Sequence, residues 1–176
     1  MIDFSRNHFE LFGLPARYRI DAGALERAYR DLQGAVHPDR FAGAGDTEKR
    51  FALQASARVN EAYRALRDPV SRAEYLLSLR GVDATSETDT RLPVAFLARQ
   101  LERREAADEA STERDARALA KLIDEIRGDA ADLAVEVERA LDGDDAEAAR
   151  MRVRELRFLA KVADDLEALA AAEVDE

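Results

Sequence analysis

The stretch 36-VHPDRF-41 places a histidine, a proline and two opposite charges side by side, between two segments with helical periodicity. Proline disfavours the α conformation in the residue before it, so the first helix must end at or just before His37. The polar cluster therefore lies at a turn between two helices. Such a turn can be a simple connection, an active site or a surface that contacts another protein.

The segments on either side of this turn have the three- and four-residue apolar spacing of amphipathic helices. The first covers 22–36 and follows Asp21, a good N-cap. Its apolar stripe consists of Leu25, Ala28, Tyr29, Leu32 and Val36. The second follows a loop with two glycines, is capped by Asp46 or Thr47, and extends to about Arg67. Its stripe consists of Phe51, Ala55, Val59, Ala62, Tyr63 and Leu66.

Two shorter helices are expected around this pair. An apolar cluster within 4–14 suits one or two helical turns and is ended by Gly13 and Pro15. After the break at 68-DP-69, a further short helix covers 70–80.

The second half of the chain predicts three longer helices. Residues 81–93 are rich in Gly, Thr, Ser and Asp and read as a domain boundary. Helices are expected over about 94–109, 113–141 and 144–172, with a turn at 142-DGDD-145.

The last two of these helices have heptad-like apolar spacing, which is typical of packed antiparallel helices. The first set is Leu119, Ile123, Ile126, Ala130, Leu133, Val137 and Ala140. The second set is Ala149, Leu156, Leu159, Ala163, Leu166 and Ala170, with Arg152 interrupting it. We therefore expect an all-α fold with an N-terminal helical domain (1–80), a linker (81–93) and a three-helix bundle (94–176).

The charge is divided unevenly along the 176 residues. Residues 1–80 hold 13 Lys and Arg against 11 Asp and Glu, whereas residues 81–176 hold 14 against 26. The net charge of −10 therefore resides in the second half, which would repel phosphate and argues against a nucleic-acid partner.

Other features of the composition exclude several classes of protein. Cysteine is absent, which removes disulfides and thiolate metal sites. The sequence contains no run of about 18 apolar residues, so no membrane-spanning helix is predicted. The N-terminus lacks the pattern of a secretory signal. We expect a cytoplasmic protein that binds no metal or cofactor of its own.

The polar turn makes a weak enzyme site. His37 and Asp39 are two residues apart with Pro38 between them, and such a pair rarely directs both groups at one substrate. Neither Ser nor Cys lies nearby as a nucleophile, and two histidines, His8 and His37, are too few for a histidine metal site. An acid–base enzyme using His37 and a carboxylate would need a pocket that the sequence does not supply, and a plain turn remains possible on spacing alone.

The context of the turn resembles the J domain over roughly residues 8–80. The similarity rests on HPD between two helices, a glycine-containing loop, and 60-NEAYRAL-66 in the helix that follows. The resemblance implies that the turn contacts the ATPase domain of a DnaK-like chaperone of the seventy-kilodalton heat-shock class and stimulates ATP hydrolysis there. The residues implied in that contact are His37, Pro38, Asp39, Arg40, Arg27, Tyr29 and Arg30.

That role suits the chemistry of these residues. Asp39 can pair with an arginine on the partner, and His37 offers a donor and an acceptor. Pro38 fixes the turn, so little conformational entropy is lost on docking. One departure from many J domains is that Glu26 and Asp31 interrupt the arginines of the first helix.

Stretches along nearly the whole chain are similar to HscB, the J-type co-chaperone family of iron–sulfur cluster biogenesis. They are 9-FELFGLPARY-18, 37-HPDRFA-42, 71-SRAEYLLSLRG-81, 95-AFLARQLERRE-105 and 154-RELRFLAKV-162. The resemblance implies an HscA-type DnaK-like chaperone and an IscU-type scaffold as partners, no catalysis by the chain itself, and any cluster carried by the scaffold.

The scaffold-binding positions of that family fall on the first and last helices of the bundle. They are Leu97, Ala98, Leu101, Glu102, Glu105, Glu109 and Phe158. Ala98 stands where the family can carry a larger apolar residue. The four-residue spacing of Leu97, Leu101, Glu105 and Glu109 places them along one side of a helix. The alternatives are that the apolar members only pack the bundle, or that the J domain serves a different client.

Overall fold

The computed structural model describes residues 3–41, 43–84 and 91–174, and all the regular elements in these ranges are helical. The predicted all-α class is therefore confirmed. The helices are α1 (His8–Leu11), α2 (Ala22–Val36), α3 (Asp46–Arg67), α4 (Pro69–Leu79), α5 (Val94–Thr112), α6 (Ala116–Asp142) and α7 (Ala146–Val174), with a 3-10 turn at Pro38–Phe41.

The chain divides into two compact units, Met1–Leu76 and Leu77–Glu176. The division falls within α4, whereas the sequence suggested a boundary over 81–93. Of that predicted linker, residues 85–90 lie outside the described residues.

Helix ends in the first unit follow local capping chemistry. Asn7 caps α1 in a reciprocal capping box with Glu10, and Asp21 caps α2 through Ala24 N–H at 2.9 Å. The predicted cap of α3 was off by one or two residues, because Gly45 is the N-cap and Asp46 is already helical. An acidic residue in the first turn favours the helix through its dipole, so Asp46 still stabilises this end.

The core of the first unit lies where α1, α2 and α3 meet. Small and branched side chains of α3 are fully buried, which lets the helices approach closely. The buried residues include Phe9, Leu25, Ala52, Ala55, Val59, Ala62 and Leu66. The predicted apolar stripes of α2 and α3 therefore do face inward, although Tyr29, Leu32, Phe51 and Tyr63 are only half-buried.

His8 is a buried, polar member of this core. Its ring stacks on Tyr75 with the centroids 4.0 Å apart, and its backbone N–H donates to the Tyr75 hydroxyl at 3.0 Å. Nδ1 of His8 is buried without a hydrogen-bond partner among the described residues. Burial lowers the pKa of His8 below 6.5, and the positive charge of Arg58 lowers it further.

This environment predicts a stability component that depends on pH. Below about pH 6.5 the unfolded state protonates His8 before the folded state does, so the first unit should lose stability as pH falls towards the lower folded pKa. His8→Phe should remove that component. All four tyrosines lie in the first unit, at Tyr18, Tyr29, Tyr63 and Tyr75, so urea unfolding followed by tyrosine fluorescence measures this unit. An unchanged pH slope in His8→Phe would contradict the assignment.

In the second unit, α6 and α7 pack along the predicted heptad positions. The buried residues of α6 include Leu119, Ile123, Ile126, Leu133 and Val137, and those of α7 include Ala149, Leu156, Leu159, Ala163 and Leu166. The turn between the helices begins after Asp142, and Asp144 adopts a positive φ of 57°.

At one position of α7 the buried residue differs from the predicted apolar pattern. Arg152 does not interrupt the buried set, because Val153, fully buried, occupies the missing core position. Arg152 instead lies beside the core and bonds Glu136 of α6 at 2.9 Å and Glu155 at 2.7 Å. Glu155 is only 3% exposed, so this charge-assisted pair satisfies a carboxylate that burial would otherwise destabilise.

Helix α5 packs on α6 through a face that contains polar side chains. The buried residues of this face are Gln100, Arg103, Ala107 and Ala110. The Arg103 guanidinium contacts the Asp129 carboxylate of α6 at 2.5 Å, and Arg99 reaches the same carboxylate at 3.1 Å. α5 ends at Thr112, three residues later than expected, and Asp115 caps α6.

Removing the shared carboxylate should destabilise the second unit. Asp129→Ala leaves the nearly buried Arg103 guanidinium without its anion, which should lower the free energy of unfolding by about 2 kcal/mol. The matched control is Asp165→Ala, which breaks the exposed Lys161 pair and should change it by less than about 0.5 kcal/mol. Urea unfolding by far-UV circular dichroism measures both. Equal effects of the two substitutions would show that Asp129 does not anchor α5.

Candidate functional site

The HPD turn presents two exposed polar side chains at the end of α2. His37 has extended backbone angles (φ −55°, ψ 127°), which end the helix as its proline neighbour requires. The backbone N–H of Asp39 donates to His37 Nδ1 at 3.4 Å, and the Asp39 carboxylate lies 3.5 Å from the same nitrogen. The side chains of His37 and Asp39 are 55% and 90% exposed.

This geometry leaves polar groups of both side chains accessible to a partner. Nδ1 of His37 faces the Asp39 backbone and carboxylate, so Nε2 is the ring nitrogen left to bond a partner. The Asp39 carboxylate is solvated and can accept a charged donor from a partner. Pro38 begins the 3-10 turn that holds the two residues together.

Three predicted arginines lie near the turn or along α2. Arg40 Nη1 donates to the Gly34 carbonyl at 2.9 Å, which satisfies one of the free carbonyls at the α2 C-terminus. Arg27 and Arg30 are exposed one helical turn apart. Their charges are partly offset, because Arg30 pairs with Glu26 at 3.0 Å and Arg27 lies 3.9 Å from Asp21.

Tyr29 differs from the other residues predicted at this surface. Its ring stacks on Tyr63 with the centroids 4.0 Å apart, and its hydroxyl donates to Asn60 Oδ1 at 3.0 Å. Tyr29 therefore holds α2 against α3, and its role as a chaperone contact stays a prediction.

An open apolar groove of about 610 Å³ lies beside the turn and was missed from the sequence. It is lined by Leu32, Ala35, Val36, Phe41, Thr47, Glu48 and Phe51. The signal was present, because Leu32 and Phe51 were assigned to apolar stripes, but their spacing does not tell a closed core from an open groove. His37 is not among the lining residues, so the groove does not supply the pocket that an acid–base enzyme would need.

The second candidate surface is the outward face of α5. Leu97 is 44% exposed and Leu101 59% exposed, and Ala98 is exposed between them. These two leucines are therefore not part of the buried core of the bundle. Exposed acids continue the face towards the C-terminus, at Glu102, Glu105 and Glu109. An apolar spot next to a charged rim is a common arrangement at protein interfaces.

Phe158 of α7 lies off the buried heptad set, as its sequence position indicated, and is half-buried. Its ring meets Phe96 edge to face, with centroids 5.6 Å apart and planes at 80°. Phe96 was missed from the sequence. Leu97 directly follows Phe96 in the sequence. The contact between Phe96 and Phe158 therefore holds the start of the exposed face of α5 against α7.

The described part of the chain contains no group of three or more histidine or acidic side chains placed to hold a metal ion. Among the same residues, none of the helices has the length and apolar character needed to cross a membrane.

Two family models match the two halves of the chain. The DnaJ domain model matches residues 7–75, and the model for the HSCB C-terminal oligomerisation domain matches residues 92–167. The resemblance to a J domain, given by the HPD turn, is therefore confirmed.

Curated relatives and solved structures agree with these matches. The co-chaperone HscB homologue of Burkholderia multivorans is 46% identical over 166 residues, covering 94% of this chain and 95% of the relative. The structure of HscB from Vibrio cholerae superposes with a TM-score of 0.83 at 34% identity, covering 93% and 96% of the two chains. The crystal structure of human HscB gives a TM-score of 0.87 at 30% identity, covering 95% of this chain and 83% of the human one.

These relatives are co-chaperones, so the prediction that the chain is an adaptor and not an enzyme is confirmed. Three findings identify the family of this chain: the J-domain match, the match of the C-terminal domain and the similarity along nearly the full length. The chain belongs to the HscB family of J-domain co-chaperones.

Proposed function

We propose that this chain stimulates the ATPase of an HscA-type DnaK-like chaperone and delivers an IscU-type scaffold to it for iron–sulfur cluster assembly or transfer. The observation that carries the proposal is the presence of two exposed surfaces in two separate units. The HPD turn belongs to the first unit, and the apolar and acidic face of α5 belongs to the second.

The turn would act on the chaperone by contact alone. The Asp39 carboxylate, 90% exposed, would pair with a cation on the ATPase domain, while His37 would form a hydrogen bond through Nε2. Arg27, Arg30 and Arg40 would add a cationic surface beside this contact. Hydrolysis of ATP would occur in the chaperone's own active site.

The α5 face would bind the scaffold. Exposed Leu97 and Leu101 would be buried on binding, and each buried CH₂ is worth about 0.8 kcal/mol. Glu102, Glu105 and Glu109 would pair with cations on the scaffold, which steers the encounter and fixes its register. Phe158, supported by Phe96, would complete the apolar contact.

The domain organisation expected from the sequence completes the proposal: a J domain over 1–80, a linker over 81–93 and a scaffold-binding bundle over 94–176. Two binding sites on one chain raise the local concentration of scaffold near the chaperone, so each binding event favours the other. We place this activity in the cytoplasm, which the absence of cysteine supports.

The second candidate is a J-domain adaptor for a DnaK-like chaperone with a different client. A pull-down with this chain as bait separates the two, using purified HscA-type chaperone and IscU-type scaffold with ATP. Capture of both partners is expected. Capture of the chaperone but never the scaffold would favour the different client.

A further inference from the structure

Val94, the first residue of α5, is 83% exposed. Of the large apolar side chains that the structure describes, none is more exposed. It therefore contributes almost nothing to the packing of its own bundle. The neighbouring residues Ala95 and Phe96 line a groove against α6 and α7, and Val94 is not part of that lining.

Its position relates Val94 to the proposed scaffold-binding face. Val94 precedes Leu97 by three residues and Ala98 by four, so the three lie on one side of the helix. Successive residues are rotated by about 100° around the helix axis. Viewed down this axis, Val94 lies between Leu97 and Ala98 and close to the direction of Leu101. The apolar spot thus continues one helical turn towards the N-terminus.

Ala98 explains why an added apolar residue is useful at this point. Ala98 is exposed but presents only one methyl group, so the face has little apolar area there. The side chain of Val94 has two more carbon atoms than that of an alanine, and it lies about one helical turn before Ala98. The acids of this face lie in the opposite direction along the helix, at Glu102, Glu105 and Glu109.

We propose that Val94 contacts the scaffold and supplies apolar area that Ala98 does not. This inference rests on the proposed function of the α5 face. The occupant is the IscU-type scaffold, which is expected to present an apolar patch opposite Val94 and Leu97 and cations opposite the glutamates. Continuity with the exposed leucines and the charge pattern of the helix favour this occupant.

The test is the dissociation constant for the purified IscU-type scaffold, measured by titration calorimetry. Val94→Ala should weaken binding about three- to tenfold, because two carbons no longer become buried. The matched control is Val135→Ala on α6, another exposed valine, which should leave the constant unchanged. Ala98→Met should tighten binding and should restore near wild-type affinity when combined with Val94→Ala. Alanine is a better helix former than valine, so neither valine substitution should harm the fold.

The outcomes separate this inference from the function on which it rests. If the unmodified chain does not bind the scaffold, the proposed function fails. If it binds and Val94→Ala binds equally well, only the role of Val94 is overturned. A change in self-association by sedimentation, with scaffold affinity unchanged, would assign Val94 to contact between copies of this chain and would also overturn the proposal.

Discussion

Substitution of His37 by Gln is expected to return the ATPase rate of the DnaK-like chaperone to its basal value. Gln keeps a polar side chain but lacks the ring whose Nδ1 accepts the Asp39 N–H at 3.4 Å. The variant therefore lacks the contact that holds the side chain of residue 37 against the backbone of Asp39. The side chain is 55% exposed, so the free energy of unfolding should change by less than about 0.5 kcal/mol. Steady-state ATPase measurements and far-UV circular dichroism on the same preparation test both parts.

Two further variants sharpen this experiment. Asp39→Asn preserves the size of the side chain and the backbone N–H, so its loss of stimulation would isolate the contribution of the negative charge. Gln54→Ala changes an exposed residue of α3 that is not among the predicted contact residues and should stimulate as the unmodified chain does. Full stimulation by His37→Gln would refute the proposed role of the turn.

Combined substitution of Leu97 and Leu101 by Ala is expected to weaken scaffold binding about 100-fold. Each change removes three carbons from a surface that binding would bury, and a loss of about 1.5 kcal/mol per leucine gives this factor. Because both side chains are exposed in the free chain, no core cavity is created and the fold should be retained. Titration calorimetry with the IscU-type scaffold measures the change.

The control for this pair is a second pair of exposed leucines outside α5. Leu53 is 63% exposed and Leu79 is 45% exposed, so their replacement by Ala removes comparable apolar surface elsewhere. That control should bind the scaffold with unchanged affinity. If both double variants weaken binding equally, the α5 face is not a specific site.

Much of the fold followed from strong local signals. Pro38 required α2 to end at His37, and Asp21 marked where that helix begins. The heptad spacing of α6 identified a face that the structure buries. Arg152 shows the limit of such patterns, because a strict apolar repeat marked it as a defect while Val153 filled the core beside it.

Helix α5 shows why the site was harder to predict than the fold. Its outward face carries Leu97 and Leu101, whereas its buried face carries Gln100 and Arg103. If hydrophobicity alone set the orientation of α5, Leu97 and Leu101 would be buried and the face with Gln100 and Arg103 would be exposed. The orientation is decided by a tertiary contact, the Arg103–Asp129 pair, together with packing of Phe96 on Phe158. Neither contact is encoded by spacing within α5, so only the resemblance to the family indicated which leucines are exposed.

In the proposed function, one chain couples a chaperone to a scaffold through two surfaces. The most direct measurement is the steady-state ATPase of the HscA-type chaperone with the IscU-type scaffold, with and without this protein. We predict stimulation greater than the sum of the separate effects, lost on His37→Gln and reduced to the scaffold-independent level on Leu97→Ala with Leu101→Ala. Stimulation indifferent to the scaffold would contradict the coupling, and the absence of stimulation would contradict the role of the HPD turn as well.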